Sequence, residues 1–369
     1  IIARKLGEGR AEEARRDLSF LTAVVLLMGA AVAVGGNLFA GRIVALLGAS
    51  PAQFALCVDY ARMLFCFAPA FFLQTAFQTF FVTAGRPALG LAVTLAAGLA
   101  NIALDYAFMG PMQMGIAGAA LATGIGYCIP ALAGVAFFAL HRGGALYFVR
   151  PKADGGVLLH ACANGSSEMV SNLANAVTTF LFNAMFLRYY GEDGVAAITI
   201  ILYFQYIFTA LYFGYSNGIA PVVSFKYGCG DQRQLKQIFR SSLLFIVGSA
   251  VAANLLIRLL ARPAVQVFAA ADSAVYRITM QGLPLYAVAF LLMGVGVFAS
   301  ALFTAFSDGK TSAFISFSRT FVFTAAAIVL LPLFFQERGL WMAVPLAECL
   351  GLATAVVCLI RKRKVYRYA

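Results

Sequence analysis

Polar side chains recur at helical spacing through an otherwise apolar stretch, residues 160 to 186: Asn164, Glu168, Asn172, Asn175, Thr179 and Asn183. Steps of three or four residues follow the 3.6-residue period, so these groups share one stripe of one helix. The stretch is long enough to cross a bilayer, and amides facing lipid would each lack a partner at a cost of several kcal/mol. The stripe must therefore face other helices or a water-filled cavity. An ionisable residue at that depth is a functional candidate by default. A carboxyl taken out of water can hold a proton near neutral pH and give it up when water or a cationic ligand arrives. Beside amide oxygens it could equally coordinate a dehydrated Na⁺. Glu168, with Asn172 and Asn175, is thus the expected cation-coupling group, and its helix the expected wall of a pathway through the membrane.

Few other charges lie well inside apolar segments. Asp105 sits near the outer end of its segment, where an Asp reaches interfacial water, and is a second coupling candidate. Arg319 and Glu348 lie on consecutive segments at depths their long side chains could bridge, which reads as an intramembrane ion pair; the sharper alternative is a proton-coupled gate. Gln74 and Gln78 stand four apart on one face, Gln281 stands near Pro284, and Tyr203, Gln205, Tyr206, Tyr212, Tyr215 and Asn217 follow the central helix. Together with Asn164, Thr179 and Asn183, the members Gln74, Gln78, Tyr203, Gln205, Tyr206 and Gln281 form the expected substrate cavity. Ring faces and a carboxylate suit lipophilic organic cations, although part of the tyrosine set fits an interfacial belt. Pro69 and Pro284 are candidate hinges; ordinary membrane-helix packing also tolerates such prolines.

These residues need long apolar elements to hold them. The chain has 369 residues, 62% hydrophobic and 11% charged, with mean hydropathy +0.87. Soluble domains carry roughly 25% charged residues, so the composition is that of an all-α polytopic membrane protein. Ten apolar segments are expected: 18–46, 53–84, 88–109, 115–140, 157–188, 195–223, 238–260, 275–306, 312–335 and 340–360. Tight connections separate them, among them Gly48 to Pro51, Gly85 to Pro87 and Ser307 to Lys310. The net charge of +12 is a topology signal. Most of the 27 Lys and Arg fall in one set of connections, which includes both ends of the chain, and only Arg42, Arg188, Arg258, Arg262 and Arg338 in the other. The rich side is expected to be cytoplasmic, with some contact to anionic membrane lipid. Nucleic acid is not an expected partner.

The seven cysteines show no CxxC and no metal spacing, so no metal site is expected. Only His141 and His160 are present, near the cytoplasmic edge, and no convergent acid, base and nucleophile marks an enzyme. No cofactor is expected beyond the coupling H⁺ or Na⁺.

A weak internal repeat organises the segments. Gly7 pairs with Gly228, Arg62 with Arg277, Pro69 with Pro284, Gly85 with Gly309 and Gly115 with Gly339, in common order at a nearly constant offset. The second half has two helices before the point matching residue 1, so two helices are expected to be missing at the front. The expected fold is two six-helix bundles related by a parallel pseudo-twofold repeat: residues 1–141 as the N-terminal lobe remnant (helices 3–6), 142–155 as a cytoplasmic linker, and 156–369 as the C-terminal lobe (helices 7–12) with a basic tail. Such halves suit alternating access around a central site.

Several stretches, in order, resemble the multidrug and toxic compound extrusion (MATE) transporters: Arg4-Lys-Leu-Gly-Glu-Gly-Arg, Asn101-Ile-Ala-Leu-Asp-Tyr, Gly115-Ile-Ala-Gly-Ala-Ala-Leu, Gly218-Ile-Ala-Pro-Val-Val-Ser-Phe-Lys-Tyr-Gly, Ser316-Phe-Ser-Arg-Thr, and Gly339-Leu-Trp-Met-Ala-Val-Pro. The resemblance covers nearly the whole chain. It implies twelve helices in two lobes, an inner (plasma) membrane of a bacterial cell, and export of cationic compounds driven by H⁺ or Na⁺ entry. Some members couple through an aspartate of the first helix, which is absent here. Others carry a glutamate in the seventh helix, further along than Glu168; counted from Gly165, Asn175 occupies that place. The role of Glu168 therefore rests on the residue pattern. The competing expectations are a lipid-linked substrate flippase of the same superfamily, with a more cationic cavity, and a non-transport membrane protein. The complete half-repeats imply a working monomer.

Overall fold

The computed structural model describes residues 1–47, 51 and 53–369; the turn expected at Gly48 to Pro51 lies, Pro51 apart, outside the described residues. The described residues are mostly helical, in order α1 (Ile2–Gly7), α2 (Ala11–Leu46), α3 (Phe54–Cys66), α4 (Ala68–Thr83), α5 (Pro87–Met109), α6 (Gly115–Leu140), α7 (Gly155–Gly228), α8 (Gln232–Gln266), α9 (Ala274–Tyr286), α10 (Val288–Ala305), α11 (Gly309–Phe317), a π-helical turn (Ser318–Phe323) and α12 (Thr324–Tyr366). The protein is a multi-pass membrane protein. Its long apolar helices carry runs of exposed Leu, Val and Phe that water would not tolerate, such as Leu38, Leu95, Leu259 and Phe334.

Two of the longest helices are each two spans joined across a kink. In α7 the break is at Gly191, whose φ of 69° and ψ of −156° favour a residue without a Cβ. In α12 it is at Gln336, with φ 49°. Two other spans are broken. Helices α3 and α4 meet at 53°, with Pro69 in the first turn of α4, where its missing N–H costs nothing. Pro284 lies in the last turn of α9, just before the break at Ala287. Counted this way, the ten segments read from the sequence are all helical. The first begins at Ala11 rather than 18, because amphipathic residues such as Glu12 and Glu13 extend it beyond the apolar run.

The chain divides into two compact units, residues 1–158 and 159–369. In the first, α2, α4 and α6 surround a core of Leu18, Phe77, Phe81 and Phe138, with the Phe77 and Phe81 rings stacked on Phe138. Phe67 and Phe77 press against α6 where Gly124 and Gly134 have no side chain; a Cβ at either would collide with the ring. The segment after α6 is not a free tether. Leu146 is buried, Val149 N–H donates to Ser19 Oγ at 2.9 Å, and Arg15 Nε donates to Ala145 O at 3.0 Å. So the expected linker begins as part of the first unit. Near the start of that unit some basic residues are paired, Lys5 with Asp17 at 2.6 Å and Arg10 with Glu8 at 3.2 Å.

In the second unit α10 is central, buried on most of its surface by α8, α11 and α12. Its start is fixed by two side chains: Asn254 Nδ2 donates to Ala287 O at 2.6 Å, and Tyr212 O–H to Phe290 O at 3.0 Å. At the other end α11 is capped by Asp308, which accepts from Thr311 N–H at 3.1 Å. The same carboxylate holds the end of the chain, taking the Tyr366 O–H at 2.9 Å and standing 3.2 Å from Lys362 Nζ.

Candidate functional site

The second unit contains a polar chamber of about 90 Å³ walled by both limbs of α7, α9, α10, the π-helical turn and α12. Part of its wall is the pair Arg319–Glu348. Arg319 Nη1 donates to Glu348 Oε1 at 2.9 Å, and the residues are only 8% and 7% exposed, so both charges are out of solvent. Two atoms of the pair, Arg319 Nε and Glu348 Oε2, have no protein hydrogen-bond partner among the described residues.

The local sequence explains how a long cation fits among packed helices. A Cβ on Gly351 would stand 2.6 Å from Arg319 Cγ, and one on Gly296 would stand 2.9 Å from Arg319 Cδ. The aliphatic stem thus lies between two glycines, one on α10 and one on α12. Arg319 itself belongs to the π-helical turn, a wider turn often found at functional positions. Thr324 Oγ1 donates to Arg319 O at 2.8 Å, and Thr178 Oγ1, from α7, donates to Thr320 O at 3.2 Å. The remaining wall mixes hydroxyls and amides (Ser171, Asn175, Thr179, Gln205, Thr209 and Tyr286) with apolar side chains such as Phe182, Phe213, Met293 and Val344. Tyr286 is fully buried, and its O–H donates to Gln205 Oε1. Tyr206 lines the chamber and, like Asn175, is exposed, so the chamber opens past these two.

The structure sorts the residues expected from sequence. Asn175, Thr179, Gln205, Tyr206, Arg319 and Glu348 share this chamber. Glu168 is half-buried and does not line it, but is one turn before Ser171, which does. Asn172 is exposed and turns back to its own helix, Nδ2 donating to Glu168 O at 2.9 Å. Asn164 donates to Thr304 O at 3.1 Å. Asn183 lines a separate, mostly apolar groove of about 940 Å³ with Phe180, Leu187, Phe268 and Glu192. Tyr203 stacks on Phe268, and Gln281 is exposed. Tyr212 and Tyr215 are committed to Phe290 O and Ser242 Oγ. Gln74, half-buried, and Gln78, exposed, are on α4 of the first unit. Asp105 is also there, half-buried; among the described residues its Oδ1 has no hydrogen-bond partner, nor has Asn101 Nδ2 one turn earlier.

Tyr286, Gly296 and Gly351 carried no signal in the sequence as site residues. Two are glycines in runs that read as helix packing. Tyr286 follows Pro284 by two, and that spacing next to a proline break was the available clue.

A buried charge pair lining a chamber is the kind of intramembrane polar feature that solute pathways use. A family model described as MatE matches residues 1–107 and 169–330. The chain belongs to the MatE family, the multidrug and toxic compound extrusion transporters. It is 22% identical over 329 residues to the multidrug export protein MepA of Staphylococcus saprophyticus, covering 88% of this chain and 70% of that protein. It is 21% identical over 364 residues to MepA of Staphylococcus aureus strain bovine RF122, covering 98% and 80%. Among solved structures, a MATE transporter in complex with MaL6 superposes with a TM-score of 0.92 at 19% identity, over 99% of this chain and 82% of that one. An outward-facing multidrug resistance MATE transporter gives 0.91 at 19% identity, over 99% and 81%.

Proposed function

We propose that the protein is a secondary active exporter of lipophilic organic cations, driven by H⁺ or Na⁺ entry and working as a monomer by alternating access of its two units. It resides in the plasma (inner) membrane of a bacterial cell with both ends of the chain on the cytoplasmic side. Glu168 is the principal coupling carboxyl, with Asn172 and Asn175 beside it, and Asp105 is the candidate in the first unit. Pro69 and Pro284 act as hinges at the two broken spans. Family membership and the multidrug export assigned to the MepA relatives support this reading. The observation that carries it is the polar chamber, in which the α7 stripe meets a buried ion pair. A polar path into an apolar bundle costs stability and is retained for passage. The intramembrane Arg319 is taken up by Glu348, which leaves it unavailable to hold an anionic lipid-linked substrate and disfavours the flippase alternative.

The test is efflux of a fluorescent organic cation from cells stripped of their own pumps, expressing the full-length protein or Glu168→Gln. Collapsing the proton gradient and then the sodium gradient identifies the ion. Loss of efflux in the variant at normal expression supports Glu168 as the coupling group. Efflux that survives the substitution moves coupling elsewhere, with Asp105→Asn as the next variant. No efflux from the wild type favours the flippase.

A further inference from the structure

We propose that the first turns of α8, with the second limb of α7, form a binding site for one anionic phospholipid with a glycerol headgroup. The inference stands apart from the exporter reading and does not rest on it.

Three cations carry the site. Arg233, Lys236 and Arg240 recur at steps of three and four, so they share one face of α8. All three are exposed, and among the described residues none of them makes a salt bridge or a hydrogen bond. Two adjoining hollows, of about 700 and 340 Å³, lie against them and share Arg233, Gln237 and Ser241. The larger runs between the two helices, with Tyr215 and Ile219 of α7 on its far side. There α7 is fastened to α8: Tyr215 O–H donates to Ser242 Oγ at 3.0 Å, and its ring stacks on Phe245 with centroids 4.4 Å apart. Among the described residues the one acid lining either hollow is Asp231, whose Oδ1 accepts from Gln234 N–H at 3.0 Å. Positive charge is therefore in excess and unanswered by the protein.

What continues beyond the cations identifies the ligand. The same face of α8 runs on as Leu244, Val247, Val251 and Leu255, all exposed, and meets a cation again at Arg258. From Arg240 to Arg258 the helix rises about 27 Å at 1.5 Å per residue, close to the roughly 30 Å of a hydrocarbon core. Lys236 and Arg240 thus fall in the headgroup layer, with Arg233 at its aqueous edge. Orientation of the chain needs cations only somewhere in the connection; three on one face around a hollow are more than that. A free phosphate would engage the cations and leave the apolar strip bare. A phospholipid uses both, as basic pockets between membrane helices do. Its phosphate meets Arg233, Lys236 and Arg240, its glycerol hydroxyls meet Gln237 and Ser241, and one acyl chain follows the strip. A choline headgroup would bring a cation of its own to a basic rim.

The experiment counts lipids retained by the purified, delipidated full-length protein in native mass spectra, across a concentration series of dioleoylphosphatidylglycerol. The wild type is expected to fill one site per chain first, and to bind dioleoylphosphatidylcholine at least tenfold more weakly. Equal binding of the two lipids overturns the proposal. Glycerophosphoglycerol, the same headgroup without chains, and inorganic phosphate should also bind at least tenfold more weakly; either one matching the lipid makes this a soluble-anion site and overturns it. Arg233→Gln/Lys236→Gln/Arg240→Gln should weaken phosphatidylglycerol binding on the order of a hundredfold, at about fivefold per cation. Arg361→Gln/Arg363→Gln/Lys364→Gln removes as much charge from exposed positions of the tail and should leave the first site within twofold of the wild type. Unchanged affinity in the α8 variant, or equal loss in both, overturns the proposal, since net charge and not this face would then hold the lipid. If the α8 triple variant does not fold, Lys236→Gln/Arg240→Gln is read in the same way against an expected loss of roughly 25-fold.

Discussion

Arg319 is held as much by what its neighbours lack as by what they offer. Its stem passes between Gly296 and Gly351, and only its tip makes an ion pair. Gly351→Ala should therefore displace the guanidinium without touching any charge. The expected cost is about 1–3 kcal/mol from overpacking, read as a fall in unfolding temperature in detergent, together with loss of efflux. Unchanged melting and efflux would show that the slot is not tight. The sequence reading joins Arg319 to Glu348 by simple reach across consecutive helices; it places Asn175 and Thr179 on one stripe by periodicity, and gathers Gln205 and Tyr206 among the aromatic and amide side chains that follow that helix. Periodicity says less about which edge of a stripe is buried. Asn172 shares the stripe and is exposed, while Ser171, one position earlier, is buried and lines the chamber. Glycines are silent in such a reading because a missing side chain has no polarity to notice.

At the scale of elements, the broken spans are where local chemistry replaces regular helix bonds. Asn254 closes the α9–α10 break by donating to Ala287 O and is itself held by Arg258 Nε at 2.9 Å. Asn254→Leu leaves that buried carbonyl with one partner fewer and should cost about 1–3 kcal/mol, measured as a lower unfolding temperature. Pro284→Ala restores an N–H to α9. Were the break a working hinge, efflux should slow severalfold while thermal stability holds; equal rates would reduce Pro284 to packing. The end of α12 offers a pH test outside the bilayer. Burial works against the charge on Asp308, but hydrogen bonds from Thr311, Tyr366 and Lys362 outweigh it and hold the carboxyl below the usual carboxylate range. A depressed folded-state pKa stabilises at all pH above the unfolded value and is lost as pH falls through the folded one. The tail from Lys362 to Tyr368 should therefore stay protected from hydrogen exchange at neutral pH and open only in strong acid, below about pH 4. Asp308→Asn should open it at neutral pH.

For the whole molecule, hydropathy and turn residues sufficed to locate the ten helical segments among the described residues, because a bilayer imposes length and apolarity on each helix independently of its partners. What they could not find were the breaks in the continuous apolar runs at Phe67 and Ala287, or the docking of residues 145–149 on the first unit, since these depend on tertiary contacts. The charge asymmetry makes a topology prediction. Cys229 is exposed in the turn after α7, on the basic side. In a variant with this as its sole cysteine, a membrane-impermeant maleimide should label inverted vesicles and spare intact cells; the opposite pattern would invert the assigned orientation. A last consequence lies in the first unit, where the rings of Phe67 and Phe77 occupy ground left free by Gly124 and Gly134. Every missense change at those two codons adds a side chain, so neither position has a conservative neighbour in sequence space. In a saturation library selected for drug tolerance, both should be nearly invariant, while the exposed Leu38 and Leu95 accept most apolar replacements. The protein's genetic fragility would then concentrate at its smallest residues.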